Sequence, residues 1–292
     1  MIKKSIYIIL TLIGVLMASA IFYGAVIRRV KLSAHIPDID RSREAKALTA
    51  FFGLDNALPL QSLLLYYKAY GKDGMPVVFS QEIDPSTLDN SDFEVVTKSG
   101  KVLEVEFVTL KPANEEFELR TALLIGELGN HPEDPPHTVH IKGDLKSRSG
   151  QNYKGQSVSV IPLPDGPSIS YAEFFVIDDD YPYVKSGGGC DCPKESTQMV
   201  VRTVWSGGVR ATNGQELGDN ELKDFLVTLV NQKDTLKVHP FKLADLGDGD
   251  NNIDLCLDTE GVPIMVNVNE GIAIDPRDDV NPKTQAAIKS RW

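Results

Sequence analysis

Apolar and polar positions along this chain fall into three regimes. From Ile6 to Ile27 there are 22 residues without a charge, preceded by Lys3 and Lys4 and followed by Arg28, Arg29 and Lys31. A helix of that length, rising about 1.5 Å per residue, spans the roughly 30 Å hydrocarbon core of a bilayer. From Ser33 to Tyr70 the pattern is that of a connector. Asp40 or Ser42 is placed to cap a helix through Arg41 to Phe52, with Ala45, Leu48 and Phe52 on one face and Gly53 as its stop. From Gly74 onward the period becomes two. Val77 to Ser80, Phe93 to Thr97, Val102 to Val108, Leu119 to Ile125, Thr138 to Lys142 and Ser157 to Ile161 read as strands. Lys98-Ser99-Gly100-Lys101 joins two of them as a hairpin loop.

Pro162-Leu163-Pro164-Asp165-Gly166-Pro167 reads as a linker. Beyond it the spacing predicts strands over Ser168 to Ile177, Met199 to Trp205, Phe225 to Val230, Leu236 to Val238, Ile253 to Leu257, Ile264 to Val268 and Ile272 to Ile274. Asp178 to Lys194 forms a long turn-rich insertion. The expected fold class is all-β, two β modules behind an N-terminal transmembrane helix or signal segment. The expected divisions are 1–31 (anchor or signal), 32–73 (stalk or connector), 74–162 (first module) and 163–292 (second, acidic module). No repeat of fixed period is visible.

The leading segment has two readings. As an uncleaved anchor, residues 6–27 attach the chain to a membrane. As a signal peptide, Ala18-Ser19-Ala20 is the cleavage site and the body is secreted or periplasmic. Against cleavage, the apolar run continues through Ile21 to Ile27. Two basic residues before the segment and three after it favour a cytoplasmic body by the positive-inside rule, whereas the module content favours an exported one. The first 31 residues carry five basic side chains and no acidic ones, so the net charge of −11 becomes −16 for the remainder. A body that acidic repels nucleic acid, which is excluded as a partner.

Val77-Val78-Phe79-Ser80-Gln81-Glu82-Ile83-Asp84-Pro85-Ser86-Thr87-Leu88, followed by Asp92-Phe93-Glu94-Val95, resembles the opening of bacterial Ig-like domains of the surface-layer-protein type. Val139 to Gln151, with Gly143-Asp144-Leu145-Lys146, is similar to their closing strand and loop. The resemblance covers about residues 74–162 and departs in the polar loops Lys111 to Glu118 and Gly129 to Pro136. It implies an Ig-like β-sandwich that spaces or binds in exported bacterial proteins, and it brings no catalytic residues.

Candidate chemistry is sparse. Asp248, Asp250, Asn252 and Asp254 place oxygen donors at alternating positions in a Gly-containing loop, the hard-donor pattern Ca²⁺ takes. Ile253 and Thr259 stand where an EF-hand needs Gly and Glu, so the alternative is an acidic turn held by its own hydrogen bonds. Phe241 to Val280 holds ten acidic and two basic residues, a crowding a cation would relieve. Cys190, Cys192 and Cys256 are odd in number. One of the close pair bridging to Cys256 competes with unpaired structural cysteines and with metal or redox chemistry. His131, His137 and His140 sit in a Pro-rich loop and strand whose alternation points His137 and His140 apart. The chain has no P-loop, no G-x-S-x-G and no H-E-x-x-H. The expected function is a membrane-anchored or exported envelope protein that binds or spaces, with Tyr181 to Cys190 as a contact loop for an envelope partner. The alternative is a hydrolase or metal enzyme with its site in loops of the second module.

Overall fold

The computed structural model describes residues 43–115, 117–177, 190–231, 234–244, 247 and 249–291. The leading apolar segment and most of the 178–194 insertion lie outside the described residues. Among those described, the structure is all-β. The longest helical element is a single 3-10 turn, Leu60–Leu64, and no helix is long and apolar enough to cross a membrane.

The first eight strands are β1 (Ala47–Phe51), β2 (Asp73–Phe79), β3 (Phe93–Thr97), β4 (Val102–Glu104), β5 (Phe107–Thr109), β6 (Thr121–Gly126), β7 (Pro136–Ile141) and β8 (Ser157–Ile161). The remaining ten are β9 (Ile169–Phe175), β10 (Met199–Trp205), β11 (Arg210–Ala211), β12 (Phe225–Asn231), β13 (Asp234–Val238), β14 (Lys242–Ala244), β15 (Asn252–Leu257), β16 (Val262–Val268), β17 (Ala273–Ile274) and β18 (Thr284–Ser290). They form two curled eight-stranded sheets, β4-β3-β7-β8-β1-β2-β6-β5 and β13-β12-β16-β18-β9-β10-β15-β14, with β11 and β17 as a small separate ribbon.

Leaving that ribbon aside, the two sheets have one topology. The first strand lies beside the second and the last, the last returns beside the seventh, and the edges are the fourth and fifth. In each sheet the last strand is also shared. In β8, residues up to Ser159 pair with β7 antiparallel, while Val160 and Ile161 pair with β1 in parallel. In β18, Thr284 to Ala287 pair with β16, and Ile288 to Ser290 run parallel to β9. The sheet therefore closes on itself around a core. Met75, Val77, Phe79, Phe93, Val95, Leu124 and Val139 fill the first. Val201, Trp205, Phe225, Val227, Leu255 and Val266 fill the second. The chain thus carries the same architecture twice without a legible repeat, because topology is kept by alternation and turns rather than by residue identity.

Two local expectations are corrected. The helix expected over Arg41 to Phe52 gives way to β1. Ala50 and Phe52 enter the first core, whereas Phe51, on the other face, is buried without joining it. A strand buried on both sides loses its alternation, and the i, i+3, i+7 match is then accidental. The first sheet accordingly takes in a strand from the segment read as connector. The single strand expected over Val102 to Val108 is two. Val105 is buried in the core, β4 pairs with β3, and β5 pairs with β6 across the curl.

Candidate functional site at the seam between the modules

The strands facing the first module are apolar runs interrupted by one charge each: Glu173 in β9, Arg202 in β10 and Asp254 in β15. All three are fully buried. In β10, Met199, Val201 and Trp205 face the second core. Val200, Arg202 and Val204 occupy the opposite face and are equally hidden. Their cover is the first module. Thr49 and Ser170 hydroxyls meet at 2.6 Å. Asn251 donates to Thr121 Oγ1 at 3.0 Å and to the Trp205 carbonyl at 2.6 Å. A Cβ on Gly207 would lie 2.8 Å from the Phe51 ring, so glycine is what allows this approach.

Charges pair across the seam in two groups. The Arg202 guanidinium grips both Asp254 oxygens at 2.7 Å, and its Nη1 lies 2.9 Å from Glu118 Oε1. Arg120 Nη2 donates to Glu173 Oε2 at 2.6 Å and stacks 4.7 Å from the Tyr171 ring centroid. Arg291 bridges Glu173 and Glu82, and Arg148 pairs with the other Glu82 oxygen at 3.0 Å. Four guanidiniums thus face four carboxylates. Burial works against the Glu173 charge, but Arg120 and Arg291 outweigh it and hold the carboxyl below its ordinary range. Burial also works against the Arg120 charge, which Glu173, Tyr171 and Glu82 more than restore. Such a set is costly to desolvate and far more costly to break by one member, so it fixes one orientation of the modules.

The loop read as polar, Lys111 to Glu118, supplies part of this seam. Phe117 is buried at φ +72°, a left-handed conformation that costs a bulky residue about 1–2 kcal/mol. It is held there by Arg291 stacked 4.6 Å from its ring and by Arg202, which donates to its carbonyl at 3.3 Å. Next to it, Phe175, Ile177, Val200, Ala244 and the three cysteines form an apolar cluster. Cys192 and Cys256 are joined as a disulfide. Cys190 is a buried thiol, which burial first and the Asp254 carboxylate second push well above the usual range.

Of the oxygen donors singled out in sequence, Asp248 lies outside the described residues. Asp250 is buried and accepts from the backbone and side-chain nitrogens of Asn252 at 2.6 and 2.7 Å. Asp254, two positions beyond Asn252 on the same strand face, is held in the Arg202 fork. Among the described residues no group of three or more His, Cys, Asp or Glu is arranged to hold a metal. Between His131 and His137, Asp134 is tied up as the acceptor for Ser99 and Thr97 in the β3–β4 hairpin. Most of the Tyr181 to Cys190 contact loop lies outside the described residues.

One carboxyl stands out near neutrality. Asp73 accepts from the backbone of Asn56 at 2.7 Å and of Leu128 at 2.6 Å, tying the loop after β1 to the sheet. Burial nonetheless pushes it up to about 6. The folded protein then holds this proton more tightly than the unfolded chain. Its contribution is full below the ordinary value of 3.8 and is lost as pH rises through about 6. The stability of the protein relative to Asp73→Asn should fall by up to about 3 kcal/mol across that window. Chemical denaturation at several pH values measures it, and a flat difference refutes it.

No protein-family model and no curated protein matches the chain. Among solved structures, it is similar to the N-terminal part of the bacterial S-layer protein SbsC at 12% identity and a TM-score of 0.28, over 85% of this chain and 45% of that one. A longer SbsC fragment gives 12% and 0.30 over 85% and 26%, and a fragment holding its domains 1–6 gives 10% and 0.29 over 85% and 41%. This chain spans less than half the length of each. At such scores the likeness carries no argument about function.

Proposed function

We propose that this chain is an exported cell-envelope protein in which two Ig-like sandwiches are locked into one stiff unit for binding or spacing. Residues 6–27 serve to hold it at, or deliver it across, the membrane. The Ig-like reading rests on strand order. β1, β2, β6 and β5 in one layer and β8, β7, β3 and β4 in the other correspond to the two layers of that fold, and the second module repeats them. The observation that carries the compartment is the Cys192–Cys256 disulfide, because such bonds persist where the surroundings are oxidising. Calcium at the acidic loop belongs to the same reading, with Asp248, Asp250 and Asn252 as its donors, since Asp254 is committed to Arg202.

Mass-tagging the thiols of the denatured protein, taken from cells under acid quench, tests the proposal. One tag is expected before reduction, on Cys190, and three after it. Three tags without reduction would place the body in a reducing compartment and overturn the reading.

A further inference from the structure

At the end of the seam near Phe51 the modules part around an apolar cleft of about 560 Å³, within the size range of small-molecule sites, which favour domain junctions. The first module contributes Leu54, Leu58 and Leu123, and the second contributes the side-chain-free wall of Gly207, Gly208 and Gly249. Its polar lining is largely committed. Asn251 is bound to Thr121 and Trp205, Ser62 to the Pro59 carbonyl and Asp250 to Asn252. Two members are not: Gln61, which is neutral and exposed, and Lys111, half-buried and also bordering a smaller neighbouring cavity, whose ammonium makes no ion pair among the described residues. Burial draws that ammonium down and the nearby Glu115 opposes the effect. A neutral apolar ligand would leave this ammonium without a hydrogen-bonded anion, Glu115 acting on it only from beyond ion-pair distance, whereas an anionic head would give it a charge-assisted hydrogen bond. Leu64, 59% exposed, extends the apolar surface to the rim.

We propose that the cleft binds a free long-chain carboxylate, its tail among Phe51, Leu54, Leu58 and Leu123 and its head on Lys111 Nζ. The full chain, kept in solution by an amphipathic polymer, is titrated with the fluorescent polyene fatty acid cis-parinarate against a polymer blank. Saturable one-to-one binding is expected. Lys111→Met should weaken it at least about tenfold, while the matching long-chain alcohol binds parent and variant alike. Leu64→Glu, at an exposed rim position, should weaken both ligands with an unchanged melting midpoint. A signal no larger than the blank, or equal carboxylate binding by Lys111→Met, overturns the proposal. Binding seen only with phosphatidylglycerol vesicles also overturns it, in favour of contact with a lipid surface.

Discussion

Replacing Glu173 by Gln lowers the unfolding free energy by about 3 to 5 kcal/mol, the cost of leaving a buried charge without its partner. The side chain keeps its shape, so packing changes little. What is lost is the anion between Arg120 and Arg291, neither of which can shed its proton in a folded protein. The consequence reaches beyond a lower midpoint. The seam is where the first module covers the outer face of β9, β10 and β15, so the modules should cease to unfold as one unit and a calorimetric trace should split. The double replacement Glu173→Met with Arg120→Met should recover part of the loss, because Arg291 keeps Glu82 and no orphan guanidinium remains at the Arg120 position. A single replacement costing under about 1 kcal/mol, with one sharp transition, would show that these charges are solvated rather than sealed.

The same logic fixes the acid side of the stability curve. A carboxyl held below its ordinary value contributes stability above that value and loses it as pH falls through the depressed one. Acid should therefore loosen the seam before it unfolds either core.

Removing the disulfide has an effect of similar size. Cys192 and Cys256 are 64 residues apart, and closing a loop of that length restricts the unfolded chain by about 4 kcal/mol in the chain-entropy account. Cys256→Ser, or full reduction confirmed by mass, should lower the denaturant midpoint accordingly. Cys190→Ala should lower it less, as it removes one small buried side chain and no cross-link. An unchanged midpoint in the fully reduced protein would defeat this expectation. The bond joins β15 to the segment leading into β10, so its loss and that of Glu173 act on one region and should not be additive.

Both expectations rest on features the linear chain displays only obliquely. Met199 to Trp205 contains one arginine among Met, Val, Thr and Trp, and Ile253 to Leu257 contains one aspartate among Ile, Leu and Cys. A lone charge in a strand buried on both faces calls for a buried partner. That signal was present, but the partner's position was not, since Arg202 and Asp254 lie 52 residues apart and meet only through the β10–β15 register. Asp254 looked instead like the last donor of an acidic loop, because spacing along the chain does not show that an arginine on the neighbouring strand already holds it. Lys111 to Glu118 read only as a long polar loop. The burial of Phe117 and Glu118 at its end follows from the module across the seam, which no local pattern encodes.

Alternation, turn residues and apolar runs by themselves determined that the described body is built of strands in two successive groups. These are short-range properties, set by the pleat and by backbone preferences at each turn. Only the tertiary structure decided that β1 is a strand, that the second group repeats the topology of the first, and that four arginines and four carboxylates are sealed between them. Those outcomes depend on what covers the outer face of a sheet. That is settled by pairings between residues dozens of positions apart, and its energy appears only once water has been excluded from both sides.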